Sequence, residues 1–341
     1  MKYVTKSAVA AAALLALVMP QRAAAQATLQ KVKDRGELVC GVNTGIAGFS
    51  APDDKGNWSG LDVDFCRAIA AAIFKNAGKV KYVPLTAKER FTALQSGEVD
   101  LLSRNTSWTM SRDTSAGMTF TGINYYDGQG FMVKKSLGVA SAKEIAGASV
   151  CVQTGTTNEL NLADFFRQRG MDYKPVVFEK LPETIQAYNA DRCDVLTADA
   201  SQLYSIRLSL GAPQEHIVLP EVISKEPLGP AVRQGDAQWA NIVRWSLFAM
   251  INAEELGVTS GNADEMLASP NPEIKRLLGK EGDFGKGIGL DNDWAYQILK
   301  SVGNYGQSFD RNVGEGSRLK ISRGQNALWR DGGLQYAPPI R

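Results

Sequence analysis

The chain has 341 residues, and its 38 basic and 36 acidic residues give a formal net charge of +2. Because the two signs are interspersed, the composition excludes the one-sided positive charge that binds nucleic acid or anionic lipid, and it favours a small ligand. At roughly 150 residues per domain, the length predicts two domains with sizeable cores.

The N-terminus has the pattern of a secretory signal peptide. Two lysines precede an apolar run over 8–19, and three alanines follow at 23–25. This run is too short for a membrane-spanning helix, which needs about 20 apolar residues, and no later stretch is apolar enough to span. We therefore predict a signal peptide over 1–25, cleavage before Gln26 and an exported, soluble mature chain. An N-terminal core helix is the alternative.

Apolar runs of strand length alternate with helical patterns along the chain, which predicts an α/β fold with mainly parallel sheets. The order restarts near residue 149, so that the same kind of unit is built twice. Strands are predicted at 37–42, 80–84, 100–103, 130–134, 149–152, 174–178 and 194–197. Helices are predicted at 65–76, 90–96, 158–169 and 181–190.

Two segments, 125–130 and 226–231, have the Gly, Pro or Asp residues expected where the chain crosses between the units. Two crossings mean that the second unit is inserted into the first, and such a pair of hinge strands permits closure around a ligand. The predicted limits are 26–126 with 229–341 for the first lobe, and 127–228 for the second.

From about residue 262 the chain is richer in Gly, Asn and Asp, with a helical pattern at 294–302. We expect this C-terminal extension to pack on the first lobe.

The four cysteines are an even set without the CxxC spacing of zinc sites, as expected for disulfides in an oxidising compartment. Pairing of Cys40 with Cys66 and of Cys151 with Cys193, within each half, is the simplest of three connectivities. Free buried thiols are the alternative.

Little in the sequence favours an enzyme. His216 is the sole histidine, in a Pro-Gln-Glu-His segment that is typical of a surface loop, and no Gly-x-Ser-x-Gly motif is present. One histidine and four cysteines predicted to be oxidised leave no metal-ligand cluster. We therefore expect no cofactor and no metal.

A turn glycine at Gly60 precedes two acids, Asp62 and Asp64, and a helix rich in small residues. At a helix N-terminus these carboxylates favour the positive end of the dipole, which predicts a structural role. The segment 60–70 resembles the signature of the polar amino-acid class of bacterial solute-binding proteins, family 3. The resemblance covers about 36–260 and implies the type II periplasmic-binding-protein fold, which has two lobes, one inserted into the other.

A second motif, 105–112, follows a predicted strand, at the end where open α/β sheets bind ligands. Within the resemblance, Arg112 matches the arginine that holds the α-carboxylate of the ligand, with Asn105 and Ser107 completing the contact. A guanidinium suits this role because it pairs bidentately with a carboxylate. A solvated surface charge is the alternative for Arg112.

The Gly-Thr-Thr segment 155–157 joins a strand of the second unit to a helix, where free N–H groups favour an anion. The resemblance implies that Thr157 reaches the α-carboxylate from the second lobe and that Asn158 lines the same wall. Asp199 matches the aspartate that receives the α-ammonium. Arg112 and Asp199 would then pair both charges of an amino acid after water leaves. A loop or capping carboxylate is the alternative for Asp199.

Three further positions bear on ligand choice. Ile46 stands where many family members have an aromatic residue and Ala87 where they have a larger apolar one, so a roomier pocket follows. Arg90 matches a position where binders of acidic amino acids have an arginine for the distal carboxylate. A surface role is the alternative for Arg90.

The resemblance implies a periplasmic protein that delivers free L-amino acids to the permease subunits of an ABC importer. The extension is similar to that of binding proteins for general L-amino-acid permeases, which implies broad specificity with Glu, Gln, Asp and Asn favoured. A monomer is expected, with no nucleic-acid partner. A dehydratase-like enzyme on the same fold and an amino-acid sensor are the alternatives.

Overall fold

The computed structural model describes residues 27–341, and the predicted signal peptide over 1–25 lies outside them. The strands are β1 Leu38–Asn43, β2 Ala51–Pro52, β3 Trp58–Ser59, β4 Val80–Leu85, β5 Leu101–Leu102, β6 Met118–Phe120, β7 Tyr125–Asp127, β8 Gln129–Lys134, β9 Ser149–Gln153, β10 Lys174–Phe178, β11 Val195–Asp199, β12 His216–Val218, β13 Glu226–Leu228 and β14 Ala231–Arg233. The α-helices are α1 Ala27–Arg35, α2 Leu61–Phe74, α3 Glu89–Ser96, α4 Met110–Ser115, α5 Thr157–Gln168, α6 Leu181–Asn189, α7 Ala200–Ser209, α8 Ala237–Glu255, α9 Ala263–Met266, α10 Pro272–Leu277, α11 Phe284–Ile288, α12 Trp294–Ser301 and α13 Tyr305–Asn312.

Two five-stranded mixed sheets form the centres of two α/β lobes. The first has the order β4-β1-β5-β14-β6, and the second has the order β10-β9-β11-β8-β12. In each sheet three parallel strands are followed by a strand that runs antiparallel to them, β14 or β8. The second unit therefore repeats the layout of the first, as the restart in the sequence pattern predicts.

The strands of the second sheet all lie between residues 129 and 218, whereas those of the first sheet lie on both sides of that range. Between the lobes, β7 and β13 pair as a two-stranded antiparallel sheet in which Glu226 is opposite Asp127. These two strands fall within the predicted crossings, and we name them the hinge ribbon. The lobe limits themselves stay a prediction.

Helix α2 begins four residues before its predicted start. Its N-cap, Gly60, has a φ of 131°, and a Cβ there would lie 2.0 Å from the carbonyl oxygen of Phe49, so only glycine fits. The helix ends at Lys75, whose φ is 54°. The earlier start places Asp62 and Asp64 in the first turn, where both are buried.

The C-terminal extension packs on the first lobe through Asp64. The carboxylate of Asp64 accepts hydrogen bonds from Ser308 Oγ at 2.7 Å, Arg311 Nε at 2.8 Å and Asn312 Nδ2 at 2.6 Å. Helix α12 lies against α2, and α13 lies against α8. An acid of the signature segment therefore anchors the extension, which agrees with its predicted structural role.

The extension also reaches the hinge ribbon. The Asn326 side chain accepts a hydrogen bond from the Tyr126 backbone N–H at 2.7 Å and donates one to the Tyr126 carbonyl at 3.0 Å. Nearby, Tyr305 Oη donates to the Asn124 carbonyl at 2.9 Å. The extension therefore occupies the edge of β7 that β13 leaves open. No helix within residues 27–341 is long and apolar enough to cross a membrane.

Candidate functional site

The loop that follows β5 is held in place by Asp62. The carboxylate of Asp62 accepts hydrogen bonds from Ser103 Oγ at 3.2 Å, the Asn105 N–H at 3.0 Å and Asn124 Nδ2 at 3.3 Å. Burial raises the pKa of Asp62 to about 6, although these hydrogen bonds act to lower it. Asn105 has a φ of 36°, a left-handed conformation that asparagine tolerates better than most residues. This carboxylate therefore fixes the backbone of the predicted binding loop.

Arg112 lies at the end of this loop, in the first turn of α4. Its backbone N–H donates to the capping hydroxyl of Thr109 at 3.3 Å, and its Nη1 donates to the Ser107 carbonyl at 3.0 Å. Burial lowers the pKa of Arg112, while the charges of Glu226 and Asp199 act to raise it. A half-buried guanidinium facing two carboxylates is not the solvated surface charge of the alternative interpretation.

Two contacts join this wall to the second lobe. The hydroxyls of Ser107 and Thr157 lie 3.3 Å apart. A Cβ added to Gly155, which has a φ of 76°, would lie 2.9 Å from Lys88 Cγ, so the two loops touch. The lobes are therefore closed against each other, and we name the space between Arg112 and the second lobe the interlobe cleft.

The second wall of the cleft begins at α5, which Thr156 caps through a hydrogen bond from the Glu159 N–H at 3.4 Å. Asn158, in the first turn, donates from Nδ2 to Asp199 Oδ1 at 2.9 Å. Asp199 is buried at the end of β11. Burial first, and then the charges of Asp127 and Glu226, raise the pKa of Asp199 well above its usual range.

Arg90 is 2% exposed, so a surface role is wrong. Its Nη1 donates to Thr106 Oγ1 at 3.2 Å, and its Nε has no hydrogen-bond partner among residues 27–341. Burial, and then the charges of Arg104 and Arg112, lower the pKa of Arg90 well below its usual range. An incompletely bonded buried guanidinium beside the cleft is suited to an anionic group.

The structure thus brings together the seven residues predicted to bind ligand, around one cleft. Contact of each with a ligand stays a prediction. The seven residues are Arg90, Asn105, Ser107, Arg112, Thr157, Asn158 and Asp199. Ile46 and Ala87 are buried, at 2% and 0% exposure, and the roomier pocket expected from them also stays a prediction.

Four polar residues that sequence reasoning missed, three of them buried and Asp127 half-buried, complete the cleft region. Asp127 and Glu226 belong to the predicted crossings, where they were assigned no ligand-related role. Arg104 lies beside Asn105, and Gln129 donates from Nε2 to the Asn158 carbonyl at 3.0 Å. Burial raises the pKa of Asp127 to about 6 and lowers that of Arg104 to about 10.

Both predicted disulfides are formed, and each lies within one lobe. Cys40 in β1 pairs with Cys66 in α2, and Cys151 in β9 pairs with Cys193 before β11. No cysteine of the described chain is free. The simplest of the three connectivities is therefore the one present.

The surface position predicted for His216 is wrong. His216 is 5% exposed, begins the edge strand β12, and its Nδ1 lies 2.8 Å from Tyr188 Oη. Its polar neighbours in sequence belong to a short turn before the strand. In the part of the chain that the structure describes, no group of three or more His, Cys, Asp or Glu residues is placed to hold a metal ion.

Comparisons with known proteins agree with this architecture. The chain is 61% identical to the general L-amino acid-binding periplasmic protein AapJ of Rhizobium johnstonii, with 100% of each chain covered. It is 56% identical to the glutamate/glutamine/aspartate/asparagine-binding protein BztA of Rhodobacter capsulatus, over 96% of this chain and 97% of the relative.

A solved structure described as an ABC transporter / periplasmic binding protein from Brucella ovis with glutathione bound matches at 60% identity and a TM-score of 0.91. The match covers 92% of this chain and 99% of that one. The predicted two-lobed fold is thereby confirmed. The model of the bacterial extracellular solute-binding proteins, family 3, matches residues 38–260, and the chain belongs to that family.

Proposed function

We propose that this protein captures free L-amino acids in the periplasm and delivers them to an ABC importer. The observation that carries the proposal is the placement of Arg112 and Asp199, with opposite charges, on facing walls of a cleft closed by the Ser107–Thr157 contact. A free α-amino acid carries one fixed anion and one fixed cation. Such a ligand would leave both buried charges paired once water is expelled.

In the proposed mechanism, the ligand α-carboxylate docks first on the first lobe, at Arg112, Asn105 and Ser107. Closure then adds Thr157 near the carboxylate and Asp199 at the α-ammonium. Because the closing contacts come from the second lobe, the ligand shifts the population toward the closed form. The hinge ribbon supplies the motion, between lobes with the limits 26–126 with 229–341 and 127–228.

Two arrangements orient the remaining parts of the ligand. Asn158 holds Asp199 through its 2.9 Å hydrogen bond and so fixes the acceptor for the ammonium. Arg90, with its unpartnered Nε, would receive a distal carboxylate or amide. Glu, Gln, Asp and Asn are therefore the favoured ligands, and Ile46 and Ala87, which are smaller than the residues many family members have there, leave room for others. The names of the relatives, a general L-amino acid binder and a Glu/Gln/Asp/Asn binder, support this breadth.

The partners and the location are part of the same proposal. The predicted signal peptide over 1–25 exports the protein, which captures its ligand without a cofactor, and permease subunits recognise the closed form. The name of the relative AapJ, a periplasmic protein, supports the location. We propose a monomer that has no nucleic-acid partner. We further propose that the protein is not an enzyme, and incubation with each ligand followed by chromatography would detect any turnover.

The test is a thermal-shift screen of refolded, ligand-stripped protein against the twenty L-amino acids and their D-enantiomers. A ligand that binds only the native state raises stability as RT ln(1 + [L]/Kd). Shifts with several polar L-amino acids and none with D-enantiomers are expected. Absence of a shift with every amino acid would overturn the proposal.

Glutathione is a second candidate ligand, because a solved structure at 60% identity is described with glutathione bound. Its γ-glutamyl group carries a free α-amino acid end, which Arg112 and Asp199 would hold in the same way. Competition calorimetry separates the two candidates. Displacement of bound L-glutamate by glutathione would place both in one site, whereas a glutathione shift without any amino-acid shift would make the peptide the ligand.

A further inference from the structure

The buried acid Glu226 belongs to the hinge ribbon and faces the interlobe cleft. It is 1% exposed, begins β13 and lies opposite Asp127 of β7. Glu226 therefore links the hinge ribbon to the interlobe cleft, the site that closure completes.

Neutral donors hold the carboxylate of Glu226. Thr157 Oγ1 donates at 2.8 Å, Asn161 Nδ2 at 2.7 Å and Ser224 Oγ at 2.7 Å. Thr157 is also the residue that contacts Ser107 of the first lobe. Glu226 thus positions the second-lobe hydroxyl that meets the first lobe when the cleft is closed.

The charge of Glu226 is not cancelled by a direct ion pair. Within residues 27–341, no basic nitrogen lies within 4.0 Å of its carboxylate. The buried carboxylate of Asp64, in contrast, forms a salt bridge with Arg311 at 2.5 Å. A buried charge without a salt bridge acts over a longer range on the groups around it, because little water is present to screen it.

The influence of Glu226 reaches both walls of the cleft. Its charge acts to raise the pKa of Arg112 and of Arg90 on the first lobe. It also acts to raise the pKa of Asp199 and of Asp127. The charge of Glu226 therefore acts both where the α-carboxylate of the ligand is expected and where a distal carboxylate is expected.

The cleft region contains three buried or half-buried arginines and four buried or half-buried acids. The arginines are Arg90, Arg104 and Arg112, and the acids are Asp62, Asp127, Asp199 and Glu226. Three arginines without the acids would attract an amino acid with a second carboxylate, such as glutamate, far more strongly than the corresponding amide, glutamine. Charge balance makes an acid and its amide more nearly equal ligands.

We propose that Glu226 is a specificity-determining residue that keeps the ligand specificity of the cleft broad. Its negative charge offsets the positive charge of the arginines, so that acidic amino acids do not exclude their amides. The inference rests on the proposed function and deepens it. Glu226 does so through its charge, while its hydrogen bonds hold Thr157 in place.

The test is isothermal titration calorimetry of Glu226→Gln with L-Glu, L-Gln, L-Asp and L-Asn, using the complete mature chain. The expected result is a rise of roughly tenfold in the ratio of Kd for Gln to Kd for Glu, and in the Asn to Asp ratio, relative to wild type. Ratios within twofold of wild type would overturn the inference.

Two further variants separate charge from position. Glu226→Asp keeps the charge but moves the carboxylate, so absolute affinity should fall while both ratios stay within twofold of wild type. Glu221→Gln is the matched control, because the Glu221 carboxylate likewise accepts from neutral donors of the second lobe, Ser141 Oγ at 2.5 Å and the Ala142 N–H at 2.9 Å. A tenfold ratio change in Glu221→Gln, or in Glu226→Asp, would also overturn the inference.

The same titrations distinguish failure of the inference from failure of the proposed function. Wild-type protein that binds none of the four amino acids contradicts the function. Wild-type binding combined with unchanged ratios in Glu226→Gln contradicts only the role of Glu226. Should Glu226→Gln fail to fold, Glu226→Ser is the second neutral variant: a tenfold rise in both ratios supports the inference, and ratios within twofold of wild type contradict it.

Discussion

The hydroxyl of Ser107 in the first lobe lies 3.3 Å from the hydroxyl of Thr157 in the second. Ser107 lies in the loop after β5, and Thr157 is the first residue of α5, which follows β9; their meeting defines a closed cleft. Thr157 also donates to Glu226 of the hinge ribbon at 2.8 Å. One short chain of hydrogen bonds therefore links the first lobe, the second lobe and the hinge.

Replacement of Arg112 by Ala should weaken L-glutamate binding by about 2–5 kcal/mol, because truncating one member of a buried charge pair leaves the other unpaired. Isothermal titration calorimetry measures the loss. Arg167→Ala is the control, since Arg167 forms an exposed ion pair with Asp164. Equal affinities of Arg112→Ala and wild type would remove Arg112 from the site.

Replacement of Asp62 by Asn should make the stability difference from wild type depend on pH. The pKa of Asp62 in the folded protein is about 6, above its ordinary value of 3.8, so the folded protein holds this proton more tightly. Wild type therefore loses stability relative to Asp62→Asn as pH rises from about 4 to about 6, by about 3 kcal/mol in total. Above about pH 7 the difference should be constant.

Urea unfolding at pH 4, 5, 6 and 7 measures the free energy of unfolding of both proteins. Asp53→Asn is the control with the opposite sign, because hydrogen bonds from Asn57 lower the pKa of the exposed Asp53. A difference between wild type and Asp62→Asn that does not change with pH would contradict the prediction.

Removal of either disulfide should lower the free energy of unfolding by about 2–5 kcal/mol. Cys40→Ala/Cys66→Ala affects only the first lobe, and Cys151→Ala/Cys193→Ala affects only the second. The two losses should therefore add to within about 0.5 kcal/mol in the quadruple variant. Denaturant unfolding checks the sum, and a clearly smaller combined loss would show that the two lobes are coupled through these bridges.

Replacement of Asn326 by Ala should loosen the hinge ribbon. It removes one hydrogen bond accepted from the Tyr126 N–H and one donated to the Tyr126 carbonyl. Since each bond contributes about 1 kcal/mol, the Tyr126 amide should exchange with solvent at least tenfold faster, and ligand affinity should fall roughly threefold as the closed form loses population. Hydrogen exchange and calorimetry measure the two effects.

Asn292→Ala is the matched control for Asn326→Ala. The Asn292 side chain accepts from the Gly285 N–H at 3.1 Å and donates to the Gly282 carbonyl at 2.6 Å, entirely within the extension. It should lower stability without changing exchange at Tyr126 or ligand affinity. The same effect at Tyr126 in both variants would mean that general destabilisation, and not the hinge contact, is responsible.

Local patterns were sufficient to predict the two repeated α/β units and a polar loop after the third strand, and the family resemblance indicated the cleft wall around Arg112. Strand periodicity placed the sheets, and polar residues after strand ends placed the loops. His216 was misplaced because its burial comes from pairing of β12 with β8 and from Tyr188, neither of which is adjacent in sequence. Glu226 was missed for a similar reason. Its place beside Thr157, 69 residues away, depends on how the inserted lobe closes.

The contact between Asn326 and Tyr126 joins residues that are 200 positions apart. Both five-stranded sheets and all four cysteines precede Asn326 in the chain. Every residue that forms the sheets of the two lobes and their disulfides therefore lies before the residue that covers the outer edge of β7. Residues 326–341 thus include the side chain that covers the outer edge of β7. A product that stops before Asn326 would contain every strand of the described chain but would lack this side chain.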